Sequence, residues 1–246
     1  MKSFTHTLTA LFTSLALVLA MGCGTDPAPG TDTTDPGTDT TTPPATDTSG
    51  PTPDGGTTPT LDTVVGVQTH ADAIGCDPEG VSLVVAGVSL KGVIVTSPRF
   101  DAFTPDDPTK TALDGYFIAD AAGGPNSGLY ITVNRAEATD YKPGDQLDLT
   151  GDVEEFFCFT QLKVATHTKT GTTDEPAIET VTAEVLATEP NESRVVRLEN
   201  VEVTEKLSWG GYTVTGGIEV AYGFADHFLS LTTGNTYTLT GAVKYG

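Results

Sequence analysis

Basic side chains are scarce in this chain: 12 Lys and Arg stand against 33 Asp and Glu, for a formal net charge of −21. Residues 1–60 hold Lys2 against Asp26, Asp32, Asp35, Asp39, Asp47 and Asp54, so 11 basic and 27 acidic residues remain beyond them. The globular part is thus about −16 by itself. Nucleic-acid binding draws much of its affinity from phosphate neutralisation by Lys and Arg, so that role starts with a penalty. The plainer reading is a solvated acidic surface that keeps a secreted domain soluble.

Histidine is sparse as well. His70, His167 and His227 stand apart, with no second His or Cys at metal-ligand spacing. Ser, His and Asp are present, but no strand–nucleophile–helix context holds them. No Gly-rich loop leads into a helix, so pairs such as Gly123-Gly124 read as turns and not as a phosphate cradle. Catalysis is therefore not expected, and no cofactor is implied. Long apolar runs are missing too. Residues 8–20 form an apolar stretch, short of the about 20 residues a membrane-spanning helix needs.

That stretch has a different use. Lys2 supplies a positive start, residues 8–20 an apolar centre, and the run closes Leu19-Ala20-Met21-Gly22-Cys23. Residues 1–22 read as an export signal. Its end resembles the lipobox of bacterial lipoproteins, in which a cysteine is cleaved at and lipidated. Ala20 stands where Leu is usual, with Leu19 one position further out. The resemblance implies that Cys23 carries lipid and that the protein partners the membrane through it; an ordinary secretory signal is the alternative. Gly24, not Asp, follows, which implies an outer-membrane or cell-surface destination. Each buried CH₂ of such chains contributes about 0.8 kcal/mol, so several chains make a firm anchor.

Residues 23–60 form a tether. From Thr25 to Thr60 they are Thr, Pro, Asp and Gly, with Ala28, Ala45 and Ser49 the exceptions. Such a composition cannot bury a core and is expected to be disordered. Its reach is roughly 30–35 Å, more with its prolines extended. Only three cysteines occur. Setting Cys23 aside for lipid leaves Cys76 and Cys158, an even remainder that suggests one disulfide in an oxidising compartment, with two buried free thiols as the alternative. Closing so long a loop stabilises by about 4–5 kcal/mol on the chain-entropy view.

From residue 88 the pattern becomes β. Strand-like runs are expected at 88–96, 116–119, 128–133, 146–153 and 157–165, and again at 194–204, 212–215, 218–222, 228–232 and 236–243. Short helical turns are expected at 64–73 and 180–187. The second set repeats the first. Leu90-Lys91-Gly92-Val93-Ile94-Val95-Thr96 aligns with Leu198-Glu199-Asn200-Val201-Glu202-Val203-Thr204. Gly115-Tyr116 aligns with Gly211-Tyr212, and Gly144-Asp145-Gln146-Leu147-Asp148-Leu149-Thr150-Gly151 with Gly234-Asn235-Thr236-Tyr237-Thr238-Leu239-Thr240-Gly241. In the first strand of each copy the apolar parity slips: Val88 and Leu90 share one face, Val93 and Val95 the other. An extra residue at Gly92, and at Asn200 in the second copy, restores a continuous inner face. That is a β-bulge, placed on the two residue types that most readily take positive φ.

These residues carry a family resemblance. The first half, with 90–96, Asp114-Gly115-Tyr116-Phe117-Ile118-Ala119-Asp120, 128–133, and Lys142-Pro143-Gly144-Asp145 leading to Leu149-Thr150-Gly151, resembles the OB-fold domains of bacterial extracellular nucleases. The second half, with 197–204, resembles the partner segment in those proteins. The likeness runs from about Val81 to Gly246. It implies an all-β chain with two tandem OB-like five-stranded Greek-key barrels, at 61–170 and 171–246. The second is expected to be incomplete, because only residues 242–246 follow Gly241. Either the chain is truncated or another segment fills the gap, with 62–68 a candidate.

On such barrels the middle strands form the usual binding face, where rings stack on bases or sugars. Tyr116, Tyr130, Tyr212 and Tyr222 are the candidate ligand-binding rings, with packing in the core as the alternative. Arg135 is a candidate ligand contact, within a positive patch shared with Arg99 and Lys142. Asp101, Asp106, Asp107, Asp114 and Asp120 are oxygen ligands suited to Ca²⁺, though no loop spacing orders them. The expected role is a non-catalytic binding lipoprotein of the cell envelope whose ligand is single-stranded nucleic acid, carbohydrate or a protein partner. The alternatives are the accessory region of an extracellular nuclease whose catalytic domain is absent, and a structural spacer.

Overall fold

The computed structural model describes residues 61–75, 78, 80–221 and 230–245, together with the backbone of Phe12–Ser14. The rest of the export signal, Cys23, the tether, Cys76, Tyr222 and His227 lie outside the described residues.

The chain is mostly strand. In order it forms β1 (Phe12–Ser14), α1 (Val64–Ile74), β2 (Val81–Val95), β3 (Phe100–Phe103), β4 (Leu113–Ala119), β5 (Gly128–Asn134), β6 (Asp145–Phe156), β7 (Thr160–Thr172) and β8 (Glu179–Thr180). Then follow α2 (Ala183–Leu186), β9 (Val195–Lys206), β10 (Tyr212–Val214), β11 (Ile218–Val220) and β12 (Thr236–Tyr245). β2 through β7 make one sheet, and β8 through β12 with β1 make the other. β7 runs two residues past the expected boundary at 170.

The first sheet closes on itself. β2 pairs with β6, β6 with β7, β7 with β5, β5 with β4, and β4 returns to β2. All of these are antiparallel except β5–β7. The interior is apolar because alternate residues turn inward: Leu147, Leu149 and Val153 of β6 meet Leu90, Val93 and Val95 of β2. α1 covers one end and adds Val64 and Val67 to this core. Its buried Val64, Val67, Gln68 and Ala71 recur at the spacing of one helical face. The 62–68 segment is therefore a helix start and not the missing strand. Thr63 caps it by accepting from Gly66 N, and Asp120 accepts from Val64 N and Val65 N at 3.0 and 2.9 Å. A carboxylate on the positive end of the helix explains that choice.

The second sheet follows the same path with shorter strands. β9 pairs with β12 on one side and β10 on the other, and β10 pairs with β11. Between β11 and β12 sits β1, antiparallel to β11 and parallel to β12. β7 holds the corresponding place in the first sheet, but runs parallel to its β5 neighbour. Leu186 of α2 enters this core as Val64 and Val67 enter the first. The expected 228–232 strand is absent from its described end, since 230–232 carry no ladder.

The register confirms the repeat in detail. Opposite β6, Leu90 faces Leu149 and Val93 faces Leu147, so β2 spends three residues where β6 spends two. Opposite β12, Leu198 faces Leu239 and Val201 faces Tyr237, with the same extra residue. Gly92 and Asn200 sit there with φ of 63° and 56°. Gly92 N also donates to Asp148 Oδ1 at 2.9 Å, which holds the first bulge. Beyond the bulges, Val95 faces Ile118 and Val203 faces Val214, again equivalent positions.

Candidate functional site

Of the candidate rings, Tyr116 and Tyr212 are core residues. Tyr116 on β4 is fully buried, and Tyr212 on β10 is 3% exposed. Each directly follows a glycine, Gly115 within β4 and Gly211 just before β10, and takes the inward parity. Tyr116 donates its hydroxyl to Thr139 O, and burial pushes its phenol up to about 12. Neither ring offers a face to a ligand here; inward alternation overrides the stacking role.

Tyr130 points the other way, onto the outside of the first sheet, yet it is not free. It stacks on Phe100 at 5.9 Å between centroids and tilts against Phe117 at 5.4 Å and Phe159 at 5.2 Å. Val195 of β9 and Ala242 of β12 complete the cluster. Lys244 Nζ lies 5.4 Å from the centre of the Phe159 ring. The second sheet therefore covers the outer face of β4 and β5. The approach is close: a Cβ on Gly128 would stand 2.4 Å from Arg194 N, so only glycine fits. Asn126 N donates to Pro190 O, and Gln68 Nε2 reaches both Gly128 O and Glu192 Oε1.

The positive patch is neutralised. Arg135 does meet Arg99, but on a shared carboxylate. Arg135 Nε lies 2.8 Å from Asp114 Oδ1, and Arg99 Nε 3.7 Å from Asp114 Oδ2. Arg135 also pairs with Asp101 at 2.5 Å and donates to Thr104 Oγ1 and Leu113 O. It pins the β3–β4 edge to the end of β5. Lys142 pairs with Asp140 instead. The acidic loops are occupied in the same way: Asp101 and Asp114 by Arg135, Asp120 by α1, and Asp107 by Thr109. Among the described residues no three His, Cys, Asp or Glu side chains form a metal-binding group.

An open site lies elsewhere, at the end of the first ring under α1. A cavity of about 260 Å³ is lined by Ala71, Asp72, Gly75, Glu155, Cys158 and Glu189. Three distant segments supply its carboxylates: α1, β6 and the 3₁₀ turn Glu189–Asn191. Burial raises the carboxyls of Asp72, Glu155 and Glu189, and their mutual repulsion raises the latter two further. Behind them Glu192 is 2% exposed and raised well above the usual range by burial, then by Glu189 and Glu155. One of its oxygens accepts from Thr160 N at 3.1 Å; Oε2 is buried without a partner. Among the described residues, no lysine or arginine lines this cavity.

The hairpin from β6 to β7 borders it. Phe157 and Cys158 form the two-residue turn, with φ of 53° and 60°. Phe156 N donates to Phe159 O, and Phe159 N donates back to Phe156 O. Such a turn favours Asn-Gly. A phenylalanine in that region is strained by about 1–2 kcal/mol. Cys158 is disulfide-bonded, and its expected partner Cys76 lies outside the described residues. Sequence reasoning expected a strand from 157, because neither residue has turn chemistry.

Comparison with protein-family models, with curated proteins and with solved structures finds no match.

Proposed function

We propose that this chain is a non-catalytic binding lipoprotein of the bacterial cell envelope. Two OB-like Greek-key barrels, held by lipid on Cys23 through the 23–60 tether, engage a polypeptide ligand. The ring order supports the barrel reading: the first ring runs first, second, third, fifth, fourth strand, with third and fifth parallel, as a five-stranded Greek-key barrel of this kind does. The second ring takes the same path through four equivalent strands.

The observation that carries the ligand class is the covered face. On β4 and β5 the rings that would stack on bases are packed against Val195 and Ala242. The cavity under α1 is lined by carboxylates, in a chain of net charge −21. Both features oppose a phosphate backbone and favour a ligand that brings cationic groups.

The anchor is tested by palmitate labelling of the expressed protein, which is expected to depend on Cys23 and to vanish in Cys23→Ala. Ligand class is tested by fluorescence anisotropy with three probes at low and moderate salt: single-stranded dT20, a neutral oligosaccharide and a lysine-containing peptide. Only the peptide is expected to bind, and tight dT20 binding would reverse the assignment. Pairing of Cys76 with Cys158 is part of the same reading. Intact mass after alkylation without reductant is expected to show neither thiol labelled.

A further inference from the structure

Exposed apolar side chains are scattered singly over most protein surfaces and need no explanation. Here, among the described residues, Phe103, Val185 and Trp209 are exposed singly in this way, but Ile74, Val81, Leu83, Phe156 and Phe157, each between 45% and 61% exposed, are grouped. The grouped residues all come from one end of the first ring. Val81 faces Phe156 across the β2–β6 ladder, and Leu83 lies on the same side of β2, facing Glu154. Phe157 N donates to Gly80 O, and the Phe156 and Phe157 rings meet edge to face at 4.8 Å. Ile74 closes α1 beside Gly75, and Cys158 follows Phe157; both Gly75 and Cys158 line the acidic cavity. The apolar end thus shares its hairpin with Glu155 and its helix terminus with Asp72, and the 3₁₀ turn brings Glu189 to the same cavity.

We infer that this end of the first ring is a docking surface for a basic, apolar segment of a partner protein, with Phe156 and Phe157 receiving its apolar side chains and the cavity receiving a lysine or arginine. Charge selects the occupant. A lipid surface of anionic headgroups would be repelled by Asp72, Glu155 and Glu189, and so would a nucleic acid. A second copy of this acidic chain brings the wrong sign. A cationic side chain entering the cavity meets three carboxylates and, among the described lining residues, no competing lysine or arginine. The turn supports the same assignment, because it holds a strained, half-exposed phenylalanine where asparagine would fit with less strain.

This inference rests on the binding reading above, and its test separates the two. The probe is a fluorescein-labelled ten-residue peptide of alternating Lys and Leu, with a Glu/Leu peptide and dT20 as controls, titrated into the 246-residue chain carrying Cys23→Ser. Phe157→Asn removes the ring while giving the turn a residue suited to positive φ, so the protein stays folded with an equal or higher Tm. Asp72→Asn with Glu189→Gln removes two cavity charges at exposed positions. Saturable binding of the Lys/Leu peptide, weakened about tenfold or more by each variant, is expected. Binding unaffected by Phe157→Asn would overturn the docking surface while leaving the chain a binding protein. Binding of none of the probes would overturn both, as would a preference for dT20 or for the Glu/Leu peptide.

Discussion

The two rings share a strand path, a helix that plugs the core and a bulge at the same ladder position, but they differ at one seam. In the first, β7 runs for 13 residues and bonds to both β6 and β5. In the second, the corresponding place between β12 and β11 holds only the three residues of β1. Phe12–Ser14 belongs to the segment read as an export signal. The lesson is that the bulge, set within one pair of strands, is alike in both rings, whereas the closing strand, the neighbouring β7 in one and the distant β1 in the other, is not.

The sharpest way to break that comparison is at the Thr-Gly strands. A Cβ at Gly151 would stand 2.3 Å from Lys163 O, because β7 crosses there. Gly151→Val is expected to cost more than about 3 kcal/mol and to lower Tm by about 6–12 °C, if the chain stays soluble. Gly241→Val, at the equivalent position beside the seam, is expected to cost less than half as much. Equal losses by differential scanning calorimetry would mean the two seams are packed alike.

Bulge residues come next in size. Gly92→Val and Asn200→Val each force a β-branched side chain to positive φ and are expected to cost about 1–2 kcal/mol in denaturant unfolding. Asn200→Gly is expected to be neutral or slightly stabilising. If only one bulge responds, the two are not equivalent.

The bulges were legible because an apolar parity slip has few other causes, and Gly or Asn at the slip names the residue. The Thr-Gly strands, the β4 and β5 runs and the helical segments before each ring were legible for similar local reasons. α1 was expected as a single turn, although Val64, Val67, Gln68 and Ala71 already carried the period of a longer helix. The direction of the rings was not legible. Tyr116 and Tyr130 both lie on the middle strands, and which one meets the core depends on register; what meets the other depends on how two sheets dock. The acidic cavity was hidden for a related reason, since Asp72, Glu155 and Glu189 are far apart in the chain and converge only when α1, β6 and the 3₁₀ turn meet.

The smallest expected effect tests that convergence. Asp72, Glu155, Glu189 and Glu192 are raised by burial, and the charged groups that act on them are one another. The folded chain then keeps protons that the unfolded chain has released. Stability from these groups is full below the ordinary carboxylate range and falls as pH rises through their raised values. Glu192→Gln is expected to add about 1 kcal/mol at pH 7, roughly 2–4 °C in Tm, and nothing near pH 4. A loss of stability at pH 7 would show that the ionised carboxylate is needed.

The aromatic cluster of Phe100, Phe117, Tyr130 and Phe159 under Val195 and Ala242 has a mechanical consequence. With Arg194 N passing so close to Gly128, the halves have no room to slide. They should melt in one calorimetric step, with equal calorimetric and van't Hoff enthalpies, despite having two separate cores. A tug delivered to the hairpin tip would then be transmitted to the whole folded body at once.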